Sequence, residues 1–239
     1  MKELADIKDV LEFYQMLGFE KLPIELKDFR KTDKINIKTV LTSNENTPIK
    51  NYHLKEEALI ELRKEIGDCK RCKLSKKRLN IVFGEGNPEA KLMFIGEAPG
   101  REEDEQGRPF VGEAGMVLTR LIEKMGFKRT DVYIANIVKC RPPMNRDPEP
   151  DEIEACKVFV EKQIEIINPR VIMSLGRIST MTLSGINKLK ITAIRGKFFY
   201  FKDIPVMPTF HPAYLMRNPK DKWLTWNDAQ KVLNKLAEK

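Results

Sequence analysis

Four cysteines, two histidines and a glycine-punctuated acidic loop are the groups in this 239-residue chain whose types and spacing could do chemistry. Cys69 and Cys72 form a C-x2-C pair, whereas Cys140 and Cys156 stand singly downstream. Gathered together, four thiolates would hold one metal centre, either tetrahedral zinc or an iron–sulfur cluster. A pair of buried free thiols and two incidental ones is the plainer alternative. Basic residues, among them Arg71, Lys73, Arg78, Lys139 and Arg141, flank the cysteines, so a closed centre would fix loops rich in phosphate-binding groups.

The acidic loop is Gly96-Glu97-Ala98-Pro99-Gly100-Arg101-Glu102-Glu103-Asp104-Glu105-Gln106-Gly107-Arg108-Pro109-Phe110-Val111-Gly112. Acidic runs are usually solvated, and that is expected of Glu102 and Glu105. Glu97 differs, because it sits at a strand end between glycines that let backbone amides approach a ligand. Phe110 suits either the core or a stacking role. Asn136 interrupts an apolar strand, Val132-Tyr133-Ile134-Ala135-Asn136-Ile137-Val138. A buried amide must be hydrogen-bonded; a backbone partner would suffice, but its paired acceptor and donor also match the N3 hydrogen and O4 of a uracil ring and mismatch cytosine. His211, in Phe210-His211-Pro212, is either structural or a member of the same site; His53 has no such context.

The elements that must position these groups follow from hydrophobic periodicity. Apolar runs at 92–95, 132–138, 171–175 and 204–207 read as strands, separated by helical patterns at 114–125, 151–167 and 177–183 and followed by one at 224–236. This alternation predicts a three-layer α/β/α domain around a central, mainly parallel four-stranded sheet. Parallel strands point the same way, so the segments after 95, 138 and 207 should meet on one edge, where α/β folds bind ligands. Upstream, a helix ends at Gly67; a further short helix is expected over residues 1–20 and a linker-like arm over 21–51, giving an extension 1–52 and a main domain 53–239.

Composition narrows the classes. With 41% hydrophobic and 33% charged residues the chain reads as soluble and globular, and a formal charge of +8 favours a polyanionic partner. No apolar run of about 18 residues suggests a membrane span and no apolar leader a secretory signal. A monomeric cytoplasmic protein is expected.

Taken together, these motifs resemble the family 4 uracil-DNA glycosylases, the iron–sulfur branch of that superfamily. The likeness runs from about residue 56 to 232 and rests on the C-x2-C pair, Val82-Phe83-Gly84-Glu85-Gly86-Asn87-Pro88, Gly96-Glu97-Ala98-Pro99-Gly100, Gly107-Arg108-Pro109-Phe110-Val111-Gly112, Asn136-Ile137-Val138-Lys139-Cys140-Arg141-Pro142-Pro143 and His211-Pro212-Ala213-Tyr214-Leu215. It implies a [4Fe–4S] cluster on Cys69, Cys72, Cys140 and Cys156, and hydrolysis of the N-glycosidic bond of deoxyuridine in single- or double-stranded DNA. By the same likeness Phe110 stacks on a flipped uracil, Asn136 reads its edge and His211 sits at its O2. Glu97, Ala98, Pro99 and Gly100 lie under the base, and Glu103 helps to exclude the thymine methyl. Ala98 stands where family 1 enzymes carry a water-orienting aspartate, so position alone does not identify that group. Arg141 is expected on the DNA, and Leu215, Met216 and Arg217 are the candidates for a wedge filling the gap left by the base. The resemblance names no protein partner.

Overall fold

The computed structural model describes residues 48–238. The helix expected over residues 1–20, and the arm up to residue 47, lie outside them. The first helix, α1 (Pro48–Ile66), begins inside the expected arm and runs through the expected 52/53 boundary. Proline explains the early start, because its fixed φ and missing N–H suit a helix's first turn. Leu59, Leu62 and Ile66 form its buried stripe, and Gly67, at φ +49, ends it.

The sheet has six strands: β1 (Glu85–Gly86), β2 (Leu92–Gly96), β3 (Tyr133–Asn136), β4 (Val171–Leu175), β5 (Phe199–Phe201) and β6 (Ile204–Thr209), in the order β1-β3-β2-β4-β6-β5. The four expected strands are its parallel centre, and two short antiparallel strands are added at the edges. β2, β3 and β4 are buried along their whole length, which is why they read as apolar runs without alternation. The extra strands carry no such signal. β1 is two residues long, and β5 joins β6 through Lys202–Asp203, at φ +46 and +65, a left-handed hairpin turn without the usual Asn-Gly.

Helices cover both faces. On one, α1 and α4 (Pro150–Ile167) pack Leu62, Phe159, Val160 and Ile164 against Met93, Ile95, Tyr133 and Ile172. On the other, α3 (Glu113–Lys124) and α8 (Lys222–Ala237) bring Leu118, Ile122, Ala229 and Val232 against Leu92, Phe94, Ile134 and Met173. The remaining helices are short: α2 (Arg101–Gln106), α5 (Arg177–Ser184), α6 (Ile191–Ile194) and α7 (Pro212–Arg217). From β2 the chain winds first to β3 on one side and then across to β4 on the other. The carboxyl ends of β2 and β4 therefore flank the point where the winding reverses, the crevice that doubly wound sheets offer to ligands. No described helix is long and apolar enough to cross a membrane.

Candidate active site

One cleft opens at these strand ends, enclosing about 1150 Å³ of atom-free space including its mouth. Glu97, Ala98, Pro99, Gly100, Glu103, Phe110, Asn136 and His211 all line it, as does Arg217. The sheet register accounts for part of this convergence. Gly96 pairs with Asn136 across β2 and β3, and the ladder continues from Ile137 N to Gly96 O (3.0 Å) and from Val138 N to Glu97 O (3.1 Å). The backbone of Glu97 is thus held to the extension of β3 while its side chain enters the cleft.

Asn136 is 1% exposed, and its side-chain Oδ1 has no hydrogen-bond partner among the described residues. A buried acceptor left unpaired costs about 1–3 kcal/mol, so a cleft that maintains one is suited to a ligand that donates. The amide shares its space with Phe110. A Cβ on Gly96 would lie 2.4 Å from Asn136 Oδ1 and 2.5 Å from Phe110 Cζ, so both groups rest over the bare Cα of that glycine. Phe110 itself is held at φ +51, a region that bulky residues avoid. Gly115 of α3 permits it by close approach, since a Cβ there would meet Phe110 O at 2.0 Å.

His211 lies beside the phenyl ring, with centroids 5.8 Å apart and planes inclined by 36°. It caps α7, its Nδ1 accepting a hydrogen bond from the Ala213 N–H at 3.2 Å. That bond assigns the neutral ring's proton to Nε2. Burial pushes the imidazole pKa down to about 4, helped by the Arg217 cation and opposed by Glu103. The side chain is therefore a neutral Nε2–H donor at neutral pH.

The carboxylates divide by role. Glu103 accepts from Gly100 N (3.0 Å), Val111 N (3.0 Å) and Gly112 N (3.1 Å), tying the start of α2 to the entry of α3. Asp104 is buried and accepts from Leu79 N and Asn80 N, whereas Glu102 and Glu105 are exposed as expected. Glu97 has no such clamp. Its pKa is raised to about 7, first by burial and then by the neighbouring Asp147 carboxylate, with Arg177 pulling the other way. Arg177 in turn pairs with Asp147 at 2.5 Å. Sequence reading missed Asp147 and Arg177, as well as Asn145 and Arg146 of the cleft wall; the signal available was only that Asp147 follows one strand and Arg177 another.

The side chains expected near DNA differ in exposure. Leu215, offered as a wedge, is 3% exposed and lies in the apolar groove between α3, α7 and α8, because α7 turns that face inward. Met216 is 36% exposed and Arg217 is also exposed. Arg141 is half-buried, its Nε donating to Asn145 Oδ1 at 2.7 Å. Lys139, expected among the phosphate-binding groups, is instead fully buried, with Nζ donating to Asn136 O (2.9 Å) and Gln163 Oε1 (2.6 Å). Burial pushes its pKa down to about 7, opposed by Cys156 and Cys140.

Behind this strand end, Cys69, Cys72, Cys140 and Cys156 line one smaller cavity, with about 310 Å³ of atom-free space on the same measure. Chiefly through burial, the Cys140 thiol is pushed up to about 12, and Cys72 and Cys156 are raised as well. Such thiols are poor nucleophiles. Donors reach the sulfurs nonetheless: Arg78 Nη1 to Cys140 Sγ at 3.5 Å, and Lys139 N to Cys156 Sγ at 3.3 Å. Among the described residues no group of three or more His, Cys, Asp or Glu is arranged to hold a single metal ion.

Comparison with known proteins agrees with the geometry. The family profile described as the uracil DNA glycosylase superfamily matches residues 83–237. The type-4 uracil-DNA glycosylase of Saccharolobus solfataricus is 50% identical over 183 residues, covering 73% of this chain and 85% of the relative. Those of Sulfurisphaera tokodaii and Thermotoga maritima are each 47% identical, over 184 and 167 residues, covering 74% and 70% of this chain and 84% and 87% of theirs.

Proposed function

Because this chain belongs to the uracil-DNA glycosylase superfamily, and within it to the type-4 enzymes, it is a glycosylase that excises uracil from DNA in repair, and we propose that Phe110, Asn136, His211 and Glu97 carry out that excision in the cleft. The uracil nucleotide leaves the helix stack at a cost of roughly a few kcal/mol, offset by basic groups on the phosphates, Arg217 and Arg141 among them. Phe110 stacks on the base. Asn136 accepts from uracil N3–H and donates to O4, and cytosine, with an acceptor at N3 and a donor at C4, mismatches both. Glu103 excludes thymine by fixing the wall formed at Gly100, Val111 and Gly112.

In the chemical step the C1′–N1 bond breaks and its electron pair stays on the uracil ring, while positive charge develops on the deoxyribose. His211, as a neutral Nε2–H donor, is positioned for O2, where negative charge grows; a bond that strengthens in the transition state raises the rate. Ionised Glu97 stabilises the sugar cation and takes the proton of the water that adds to C1′, leaving an abasic site and the uracil anion, which takes up a proton from solvent on release. The observation that carries this reading is the unpaired Asn136 Oδ1, over the same glycine as Phe110, whose ring lies beside His211.

The four cysteines are proposed to hold a [4Fe–4S] cluster. Such a cluster would tie residues 69–72 to 140 and 156, which line one cavity, and so would hold these loops together. The main domain at 53–239, a monomeric state and action in the cytoplasm belong to the same proposal.

The test uses purified protein and defined oligonucleotides carrying one uracil, cytosine or thymine. Release of uracil alone, with abasic sites cleavable by alkali, is expected. A wild-type preparation with bound iron that leaves every oligonucleotide intact would overturn the proposal.

A further inference from the structure

With Leu215 packed inward, the gap beside a flipped base is left to other side chains on the cleft rim; Met216 is only 36% exposed and Arg217 carries a charge, so a more exposed apolar group is the better wedge. Residues 142–146 cross that rim: Pro142, Asn145 and Arg146 all line the cleft. Between them Met144 is 93% exposed, the most exposed of the large apolar side chains described. An isolated surface apolar residue needs no explanation, but this one stands on an unusually fixed support. Met144 and Asn145 occupy the left-handed region at φ +55 and +54, where unbranched residues pay of order 1 kcal/mol or more each. The turn is locked by Asn145 N to Pro142 O (3.1 Å), by Arg146 N to Pro143 O (3.2 Å) and by the Arg141 Nε bond to Asn145 Oδ1. Arg146 anchors its far end with two bonds, 2.8 and 2.7 Å, to the buried carboxylate of Glu152. Two prolines and a paired arginine thus present one bare thioether to solvent at the mouth of the site.

We propose that Met144 is the side chain that enters duplex DNA when the target base leaves it, filling the vacated stack and holding the nucleotide in the cleft. Apolar side chains that enter base steps are a recurrent way to offset the cost of unstacking. The long, polarisable methionine side chain suits irregular stacking between base faces. A rigid loop keeps the ordering cost of insertion low, because little conformational freedom is left to lose. Met144 is thus a positioning residue, acting on the duplex and not on the glycosidic bond.

This inference rests on the excision proposed above, and the ratio of two substrates separates them. A single-stranded oligonucleotide has no stack to invade, whereas the same sequence in a duplex does. Met144→Ala is expected to lower the duplex-to-single-strand ratio of kcat/KM roughly tenfold, the order of one lost apolar contact, and Met144→Leu to restore most of it. In the duplex, 2-aminopurine beside the uracil should brighten on binding wild type and Met144→Leu but not Met144→Ala. An unchanged ratio in Met144→Ala with normal brightening would overturn the inference while excision stood. Absence of uracil release from either substrate by wild type would instead remove the excision reading.

Discussion

The base cleft and the cysteine cavity are neighbours on one piece of chain, four residues apart at Asn136 and Cys140, yet their polar atoms are treated in opposite ways. In the cleft Asn136 Oδ1 lacks a partner among the described residues. In the cavity, sulfurs of Cys140 and Cys156 already receive donors from Arg78 and the Lys139 amide. The difference teaches that an unpaired buried atom leaves room for a ligand that donates, whereas sulfurs that already receive donors are held in place by the protein itself. Lys139 joins the two: its Nζ caps the Asn136 carbonyl from within while its backbone N–H serves Cys156.

Breaking the cleft alone gives the largest expected effect. His211→Ala should lower kcat by roughly 10²–10³-fold, the usual loss for one oxyanion donor, with DNA affinity in a gel-shift nearly unchanged; a comparable loss of affinity would place His211 in binding rather than catalysis. Gly96→Ala sharpens the same side, because its Cβ must displace Asn136 Oδ1 or the Phe110 ring. A loss of ~10–100-fold on uracil, from about 1–3 kcal/mol of misplaced contacts, should come with a near-normal Tm.

Cys140→Ala should reverse that pattern. Iron content and the visible absorbance near ~400 nm should fall, and Tm should drop by roughly 6–12 °C, because metal binding energy is also folding energy. A variant that loses iron but melts like wild type would show the two regions to be independent.

The smallest effect is a shift with pH. Glu97 holds its proton to about pH 7, because burial and then Asp147 disfavour its charge. If its ionised form works, activity rises with pH through that value. His211, neutral down to about pH 4, adds no limb there. Removing the like charge in Asp147→Asn favours ionised Glu97 and should raise the rate at pH 6 several-fold. Arg177→Gln removes the opposing cation and should lower it. Rate profiles that move together, or not at all, would detach Glu97 from the limb.

Much of this was legible beforehand because it rests on local rules. Strands buried on both faces read as apolar runs, and parallel strands deliver their carboxyl-terminal loops to one edge, so the meeting of Glu97, Asn136 and His211 followed from pattern alone. The edge strands were not legible, being too short or joined by a turn without its usual residues.

What the sequence determined by itself was the identity of the chemical groups, the layered fold and the strand ends from which those groups project, since periodicity and residue type are carried by neighbours in the chain. Only the tertiary structure decided their state. Whether Asn136 keeps an unpaired oxygen, whether Lys139 faces phosphate or core, whether Leu215 or Met144 meets solvent, and where Glu97 loses its proton all depend on groups distant in sequence. Burial and pairing are properties of the space between segments, and no spacing along one segment encodes them.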